Sequence, residues 1–150
     1  MELVQAFVFS FAATLLFGVG LFAPRRSLLL GAVFGALGYG VYLWLSPLLG
    51  EMGAMFFGTL AVSLSGEIAA RVFGFPSIVF IFPGVIPLVP GVGLYQTILT
   101  FVEGDTLSAL SIGVETVLIA AIMAMTIGVS NVAVRVLAAK IRKRKRPTET

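Results

Sequence analysis

The sequence contains neither cysteine nor histidine. Without cysteine the chain cannot form a disulfide or offer a thiolate to a metal, and without histidine it has no imidazole to bind a metal or relay a proton near neutral pH. The sequence therefore predicts no metal site and no cofactor. Any coupling to protons has to use the carboxylates of Asp and Glu.

Charge is also scarce, because 11% of the 150 residues are Asp, Glu, Lys or Arg and 59% are hydrophobic. A soluble domain has a charged share of about 25%. One soluble core cannot hide this apolar excess, so the composition predicts an all-α integral membrane protein with a single transmembrane domain. The net charge of +3 comes almost wholly from a basic tail at residues 139–150. Such a tail indicates contact with lipid headgroups and no binding of nucleic acid.

The apolar segments predict about five transmembrane helices, since a helical span needs about 20 mainly apolar residues. They lie at about residues 3–22, 28–49, 52–73, 75–102 and 107–138. Lys and Arg are concentrated at alternate ends of these segments, which predicts an outside N-terminus and an inside C-terminus. If the fourth segment instead returned to its own side, the basic tail would lie outside. We therefore expect a multi-pass protein of the inner or plasma membrane.

The fourth segment, residues 75–102, is apolar enough for a bilayer but contains four prolines. They are Pro76, Pro83, Pro87 and Pro90. A proline inside a helix removes a hydrogen bond and costs about 3 kcal/mol or more. In a bilayer, broken helix is tolerated only against protein or a water-filled cavity. The pattern predicts a half-helix at 77–82, an irregular crossover at 83–91 and a second half-helix at 92–101; a kinked structural helix is the alternative.

The start of the second half-helix is the candidate substrate site. A helix N-terminus presents free backbone N–H groups and about half a positive charge, which suits a carboxylate. Many secondary transporters hold substrates at such half-helix ends within the membrane. The candidate substrate-binding residues are Pro87, Pro90, Gly91, Gly93 and Tyr95, with Arg71 as a counter-ion.

Four ionisable or polar residues lie inside the other predicted spans. Glu67 and Arg71 are four residues apart, so they share a helix face and can pair. Arg71 either reaches to the inner interface with Glu67 as its neutralising partner, or binds an anionic substrate while Glu67 carries a proton. Glu115 has no basic neighbour within a turn and is the second candidate for proton coupling. Asn131 is expected to form a hydrogen bond across helices.

Three stretches of the sequence carry a family resemblance. They are PRRSLLLGAVFGALGY (Pro24–Tyr39), Arg71 at the end of the third predicted span, and IPLVPGVGLYQTI (Ile86–Ile98). With these features the chain resembles the small, YjjB-like membrane subunit of the threonine/serine exporter (ThrE) family. The most specific part is the core from Pro87 to Tyr95, in which Pro90-Gly91 corresponds to the family's Pro-Gly pair.

The resemblance implies an exporter of small carboxylate metabolites that depends on the proton motive force. It implies threonine and serine as substrates in some members and succinate in others, and a larger YjjP-like partner subunit. A non-transporting scaffold or assembly subunit and a passive channel remain alternatives. No nucleophile–base pair supports an enzyme. Small residues such as Gly31 and Gly35 favour close helix packing, and whether the chain forms a homo-oligomer stays open.

Overall fold

The structure, a computed structural model, describes the backbone of residues 2–144 and the side chains of residues 4–140. Of the described residues 91% are helical and none lies in a strand, which confirms the all-helical class. The helices are α1 (Glu2–Gly20), α2 (Arg25–Phe73), α3 (Ile78–Val85), α4 (Gly91–Val102) and α5 (Thr106–Arg144), with a 3₁₀ turn at Ile86–Leu88.

Helix α2 consists of two antiparallel halves, residues 25–49 and 51–73, joined at Gly50. Gly50 has φ 70° and ψ 179°, a combination that essentially only glycine adopts. The backbone oxygen of Gly58 lies 2.9 Å from the place where Gly38 would carry a Cβ atom, and the reverse distance is the same. In a straight helix these residues would be about 30 Å apart. The second and third predicted spans therefore form a tight helical hairpin.

Helices α1 and α3 pack against this hairpin. Gly35 is the point of closest approach, because a Cβ atom there would meet the hydroxyl of Thr14 on α1 and lie 3.1 Å from the carbonyl oxygen of Gly84 on α3. Small residues on α2 thus bring the neighbouring helices close enough for backbone contact. The core that results is apolar. Its buried members are Met55, Val62, Ile81, Val85, Leu88, Ile119 and Met123.

The proline-rich segment is broken, as predicted, but over a shorter stretch. Helix α3 continues through Pro83 to Val85, and only Val89 and Pro90 separate the 3₁₀ turn from α4. The irregular crossover predicted at 83–91 is therefore wrong in extent. Pro83 lies in the second turn of α3, where its missing N–H removes a single helical hydrogen bond, and it is buried. The two helical pieces meet at an angle of 47°.

Helices α4 and α5 form a second hairpin. Among the described residues α4 contacts α5 and no other helix, whereas α5 also packs against α2. The contacts are divided along α5: Thr116 lies against Gly93 of α4, and Ile119 and Met123 join the core beside Met55. With 39 residues, α5 is about 58 Å long. It therefore extends beyond the end of the α2 hairpin, and α4 packs on that extension.

By length and apolarity, α2 and α5 can each span a membrane, and the bent pair α3–α4 supplies a third candidate if it counts as one span. Helix α1 is apolar but shorter. This count treats α2 as a single span, although it consists of two antiparallel halves. The five crossings and the orientation therefore stay predictions. Helix α5 runs past its predicted end at residue 138 to Arg144, and residues 145–150 of the basic tail lie outside the described residues.

Candidate functional site

Glu67 is a buried carboxylate on the second half of α2, with an exposed fraction of 3%. Its Oε2 atom accepts a hydrogen bond of 2.7 Å from Nη1 of Arg71, one turn further along the helix. The same Arg71 nitrogen donates to the backbone carbonyl of Glu67 at 2.8 Å. The pairing predicted from the four-residue spacing is confirmed. A carboxylate this deeply buried needs such a partner, because an unpaired buried charge is very costly.

Asn131 of α5 completes the cluster. Its Nδ2 atom donates a hydrogen bond of 2.7 Å to Oε1 of Glu67, so the cross-helix bond predicted for Asn131 is confirmed. Every other side-chain hydrogen bond among the described residues stays within one turn of helix. The bond to Glu67 is therefore the polar tie between α2 and α5 in this part of the chain.

Arg71 differs from Glu67 in its access to the surface. Its side chain is 34% exposed, against 4% for that of Glu67. It lies in the last turn of α2, where the helix dipole favours a cation. Gly74 ends the helix three residues later, with φ 71° in the left-handed region. The cluster therefore places a buried anion beside a cation that an incoming group can reach.

Two further polar groups lie on the same side of α2. Thr59 and Ser63 precede Glu67 by eight and four residues, and both side chains are completely buried. Neither hydroxyl has a hydrogen-bond partner among the described residues. Leaving a hydroxyl unpaired in an apolar environment costs about 1–3 kcal/mol. Both hydroxyls lie on the face of α2 that also carries Glu67.

The N-terminus of α4 is the second candidate region. No side chain caps it at Pro90, and its first turn makes hydrogen bonds from Gly91 to Val89 and from Leu94 to Pro90. Gly91 has open space where a Cβ atom would stand, whereas a Cβ atom on Gly93 would meet the hydroxyl of Thr116. Gly93 thus serves helix packing, and Gly91 is the accessible position of the pair.

Two other predicted residues of this region differ in the same respect, one lying inside a turn and the other exposed. Pro87 lies inside the 3₁₀ turn, and Tyr95 is 65% exposed on α4. A groove of about 660 Å³ lies along the surface that α4 and α5 form together. Its walls are mainly apolar, with Leu94, Ile98, Phe101, Leu110 and Val114 among the lining residues. Such walls suit a hydrocarbon chain or an apolar helix and offer nothing to hold a carboxylate.

Glu115 lies on α5 beside Thr116 and is exposed. It makes no salt bridge or side-chain hydrogen bond to the described residues. It lies in the third turn of α5, within the apolar stretch of a helix that can span a membrane. A carboxylate facing lipid there is costly, so this position normally faces water or another protein.

The structure does not bring all predicted site residues together. Gly93 touches α5 at Thr116, and Glu67 touches α5 at Asn131. These two positions on α5 are about 22 Å apart at 1.5 Å per residue. Arg71 and Glu67 therefore form one cluster with Asn131, and the α4 N-terminus lies apart from it. Glu115 makes no salt bridge or side-chain hydrogen bond to either among the described residues. A substrate the size of an amino acid contacts the cluster or the α4 N-terminus, one at a time.

The sequence patterns did not single out the buried hydroxyls of Thr59 and Ser63. The signal was present, because Thr59, Ser63, Glu67 and Arg71 follow one another at intervals of four. Residues at this spacing share a helix face. Serine and threonine are common in membrane helices as packing residues, so the interval gains meaning only once burial and the lack of partners are known.

One comparison with known proteins identifies a family for this chain. Searches of curated proteins and of solved structures returned no match. The family model described as Threonine/Serine exporter, ThrE, matches residues 6–133 of the 150-residue chain. The matched range includes the α2 hairpin, the broken segment, and all three residues of the Glu67 cluster. The chain therefore belongs to the threonine/serine exporter family, ThrE, a family of transporters.

Proposed function

We propose that this chain is a membrane subunit of a secondary exporter that uses the proton motive force to expel small carboxylate metabolites. Its membership of the ThrE family supports a transport role and argues against an enzyme. The proposed subunit crosses the inner or plasma membrane five times, with its N-terminus outside. The observation that carries the mechanism is the cluster of Glu67, Arg71 and Asn131.

The cluster favours an amino acid over a dicarboxylate as substrate. It holds a carboxylate and a guanidinium side by side, at 2.7 Å. A zwitterionic amino acid presents the complementary pair, so its carboxylate would bind Arg71 and its ammonium group would bind Glu67. A dicarboxylate such as succinate would place a second negative charge near Glu67, and the repulsion between the two charges would weaken its binding. Threonine and serine are therefore the first candidates.

The same cluster can couple export to protons. The substrate's ammonium group needs Glu67 in its charged form, and a proton on Glu67 removes that charge. Substrate and proton thus exclude one another from Glu67. A carrier that changes orientation with either one bound, and not when empty, exchanges an outgoing amino acid for an incoming proton. With Glu67 protonated the cluster keeps the positive charge of Arg71, so each cycle also moves charge inward.

The N-terminus of α4 is proposed as a second position for the substrate carboxylate, nearer the outer side. Its uncapped first turn and the open space at Gly91 support this role. Pro87 and Pro90 keep the chain from continuing as a regular helix through this point. Tyr95, exposed one turn further on, is placed to offer its hydroxyl. Glu115 remains a second candidate for the coupling proton in this region.

A larger YjjP-like subunit is the proposed partner. Glu115 is exposed in an apolar stretch of α5, and α4 has no buried residue. Both surfaces would be completed by neighbouring transmembrane helices. A partner that offers a hydrogen-bond donor near Glu115 would remove the cost of exposing this carboxylate to lipid.

Co-reconstitution tests the proposal. The chain, the larger subunit, and both together are placed in liposomes loaded with threonine, serine or succinate, and efflux is measured with and without an inward proton gradient. We expect gradient-driven efflux of threonine and serine only when both subunits are present. Efflux by the larger subunit alone would support a scaffold role for this chain. Efflux that ignores the proton gradient but follows the substrate gradient would support a channel.

A further inference from the structure

Exposed charged residues mark two levels along α2 and α5. Glu51 precedes Arg71 by 20 residues on α2, and Glu115 precedes Arg135 by 20 residues on α5. The hydrogen bond between these helices joins the residues four positions before each arginine, and core residues that precede this bond on both helices also meet. The two helices therefore run side by side in the same direction, with both acids at one level and both arginines at the other.

These two levels have the spacing of a bilayer. Twenty residues of α-helix are about 30 Å long, which is the hydrocarbon thickness of a typical membrane. Charged side chains are costly inside the hydrocarbon and are tolerated at its edges. The two acids and the two arginines therefore mark the opposite edges of the hydrocarbon layer around this chain.

Helices α4 and α5 continue beyond this layer on the side of the acids. Nine residues of α5 precede Glu115, so this helix extends about 14 Å past the layer. Thr116 lies against Gly93 near the start of α4, and α4 packs along α5 from there. We call α4 together with residues 106–118 of α5 the arm. Headgroups add only about 5–8 Å to each side of the hydrocarbon, so the end of the arm lies in water.

The arm exposes an apolar surface there. Its groove of about 660 Å³ is lined by α4 and α5, with no charged side chain among the described lining residues. Seven large apolar side chains line it, and each is between 48% and 66% exposed. The hydroxyl of Thr97 in the groove donates a hydrogen bond of 2.7 Å to the carbonyl of Gly93. A contiguous apolar surface of this kind in water is typical of a site that binds another protein.

A second copy of this chain fits the groove in area, charge and height. The seven apolar side chains expose on the order of 700 Å², and each partner in a stable interface buries about 800 Å². A two-fold interface brings identical residues together, and an uncharged groove allows this without repulsion. The bilayer also holds the arms of two copies at the same height. We propose that two copies associate through this groove, so that their α4–α5 hairpins form a four-helix bundle.

This dimer goes beyond the proposed export function and does not depend on it. Tyr95 and Glu115 do not line the groove, so both stay accessible when two arms associate. The Glu67 cluster contacts α5 about 22 Å further along, at Asn131. The interface therefore leaves the candidate substrate positions and the surface proposed for the larger subunit free.

The first experiment uses single thiols. The natural chain has no cysteine, so Ile98→Cys, Val114→Cys and Ser111→Cys each carry one. Ile98 and Val114 line the groove, whereas Ser111 is exposed on the same part of α5 outside it. Two differently tagged copies are reconstituted with the larger subunit in liposomes. Oxidation by copper phenanthroline then forms disulfides, and the tags identify those that join two copies.

We expect disulfide-linked pairs of copies at positions 98 and 114 in clear excess over position 111. A water-soluble maleimide should label position 111 at least about tenfold faster than the other two, because thiols inside an interface react only when it opens. A thiol at 111 that resists the maleimide places the arm in the hydrocarbon and overturns the inference. Equal cross-linking at all three positions overturns it, as does protection of 98 and 114 without cross-linked copies, which would assign the groove to a different protein.

The second experiment counts copies. Val114→Lys places like charges across the two-fold axis, whereas Ser111→Lys adds the same charge outside the groove. We expect light scattering of the purified complex to show half as many copies of this chain for Val114→Lys and the natural number for Ser111→Lys. Val114 is 51% exposed in a single copy and Ile98 is 66% exposed, so Ile98→Lys is a second groove variant that one copy tolerates. A natural complex with one copy, or groove variants with the natural number, overturns the dimer. Neither experiment measures efflux, so a failure of the proposed function leaves both outcomes decisive.

Discussion

Glu67 and Asn131 lie 64 residues apart in the sequence, and their side chains form a hydrogen bond of 2.7 Å between α2 and α5. Arg71 holds the other carboxylate oxygen of Glu67 at the same distance. Each oxygen of a buried carboxylate thus has a separate donor, one from its own helix and one from a neighbouring helix. The proposed coupling depends on this arrangement, because a change in the charge of Glu67 changes its hydrogen bond to α5.

Exchanging donor and acceptor tests how much the hydrogen bond between Glu67 and Asn131 contributes to the stability of the bundle. Asn131→Asp places a second carboxylate against Glu67, and we expect it to lower the stability of the bundle by about 1–2 kcal/mol, the range for hydrogen bonds between membrane helices. Adding Glu67→Gln restores a donor opposite an acceptor, so the double variant should regain most of the loss. Unfolding in mixed micelles measures both. A double variant with the summed loss of its two single variants would show that the side chains do not interact.

Arg71 is expected to hold the carboxylate of the substrate. Arg71→Gln removes a charge-assisted hydrogen bond worth about 1.5–3 kcal/mol, so the half-saturating threonine concentration in exchange assays should rise about ten- to a hundredfold. Arg71→Lys keeps the charge but lacks the planar guanidinium group, so its half-saturating concentration should lie between those of the natural chain and Arg71→Gln. The matched control is Arg135→Gln, which removes an exposed arginine near the same end of the bundle. Equal effects at the two positions would mean that Arg71 contributes only surface charge and does not bind the substrate.

A negative charge at the start of α4 distinguishes helix stability from anion binding. Gly91 has open space around it and is the first residue of α4. The helix dipole favours Asp at this position by about 0.3–1 kcal/mol, but a carboxylate within the membrane is costly. Gly91→Asp should also repel a substrate carboxylate and slow efflux. Gly91→Ala tests the effect of bulk alone. Wild-type efflux from the Asp variant, at normal membrane levels, would remove the α4 N-terminus from the substrate path.

The turn between α4 and α5 provides a pH test outside the spans. Ser108 donates hydrogen bonds from its hydroxyl and its backbone N–H to Asp105, and these lower the pKa of that carboxyl below its ordinary value. Because the folded-state pKa is the lower one, the stabilisation is present above the ordinary pKa and is lost as the pH falls through the lowered one. Asp105→Asn should remove this pH dependence from the thermal unfolding of the natural chain. An unchanged acid profile in the variant would contradict the assignment.

Much of this arrangement could be predicted from local sequence patterns. The helical class, the break near Pro90 and the Glu67–Arg71 pair follow from apolar length, proline chemistry and four-residue spacing, each of which acts within a few residues. The extent of the break could not be predicted in the same way, because α3 continues through Pro83, which is buried against the rest of the bundle. The separation of the Glu67 cluster from the start of α4, about 22 Å between their contact points on α5, depends on which part of α5 each helix touches. No pattern within either segment determines this.

The choice between Glu67 and Glu115 shows the same limit. Both are acids in apolar segments, Glu67 with Arg71 one turn away and Glu115 with no basic neighbour, and the sequence leaves both as candidates for carrying a proton. The structure separates them by surroundings: Glu67 is buried with two donors, and Glu115 is exposed on α5. Burial next to a cation and an amide from another helix is a tertiary property, so it becomes visible only when α2 and α5 are placed together.

The central claim is that Glu67 carries the coupling proton, and the most direct measurement is threonine efflux driven by an inward proton gradient from liposomes that contain both subunits. Glu67→Gln keeps the size of the side chain but cannot take up a proton. We predict that this variant reduces efflux to the level seen without a gradient, while the matched variant Glu115→Gln still responds to the gradient. A Glu67→Gln variant that responds to the gradient as the natural chain does would contradict the account.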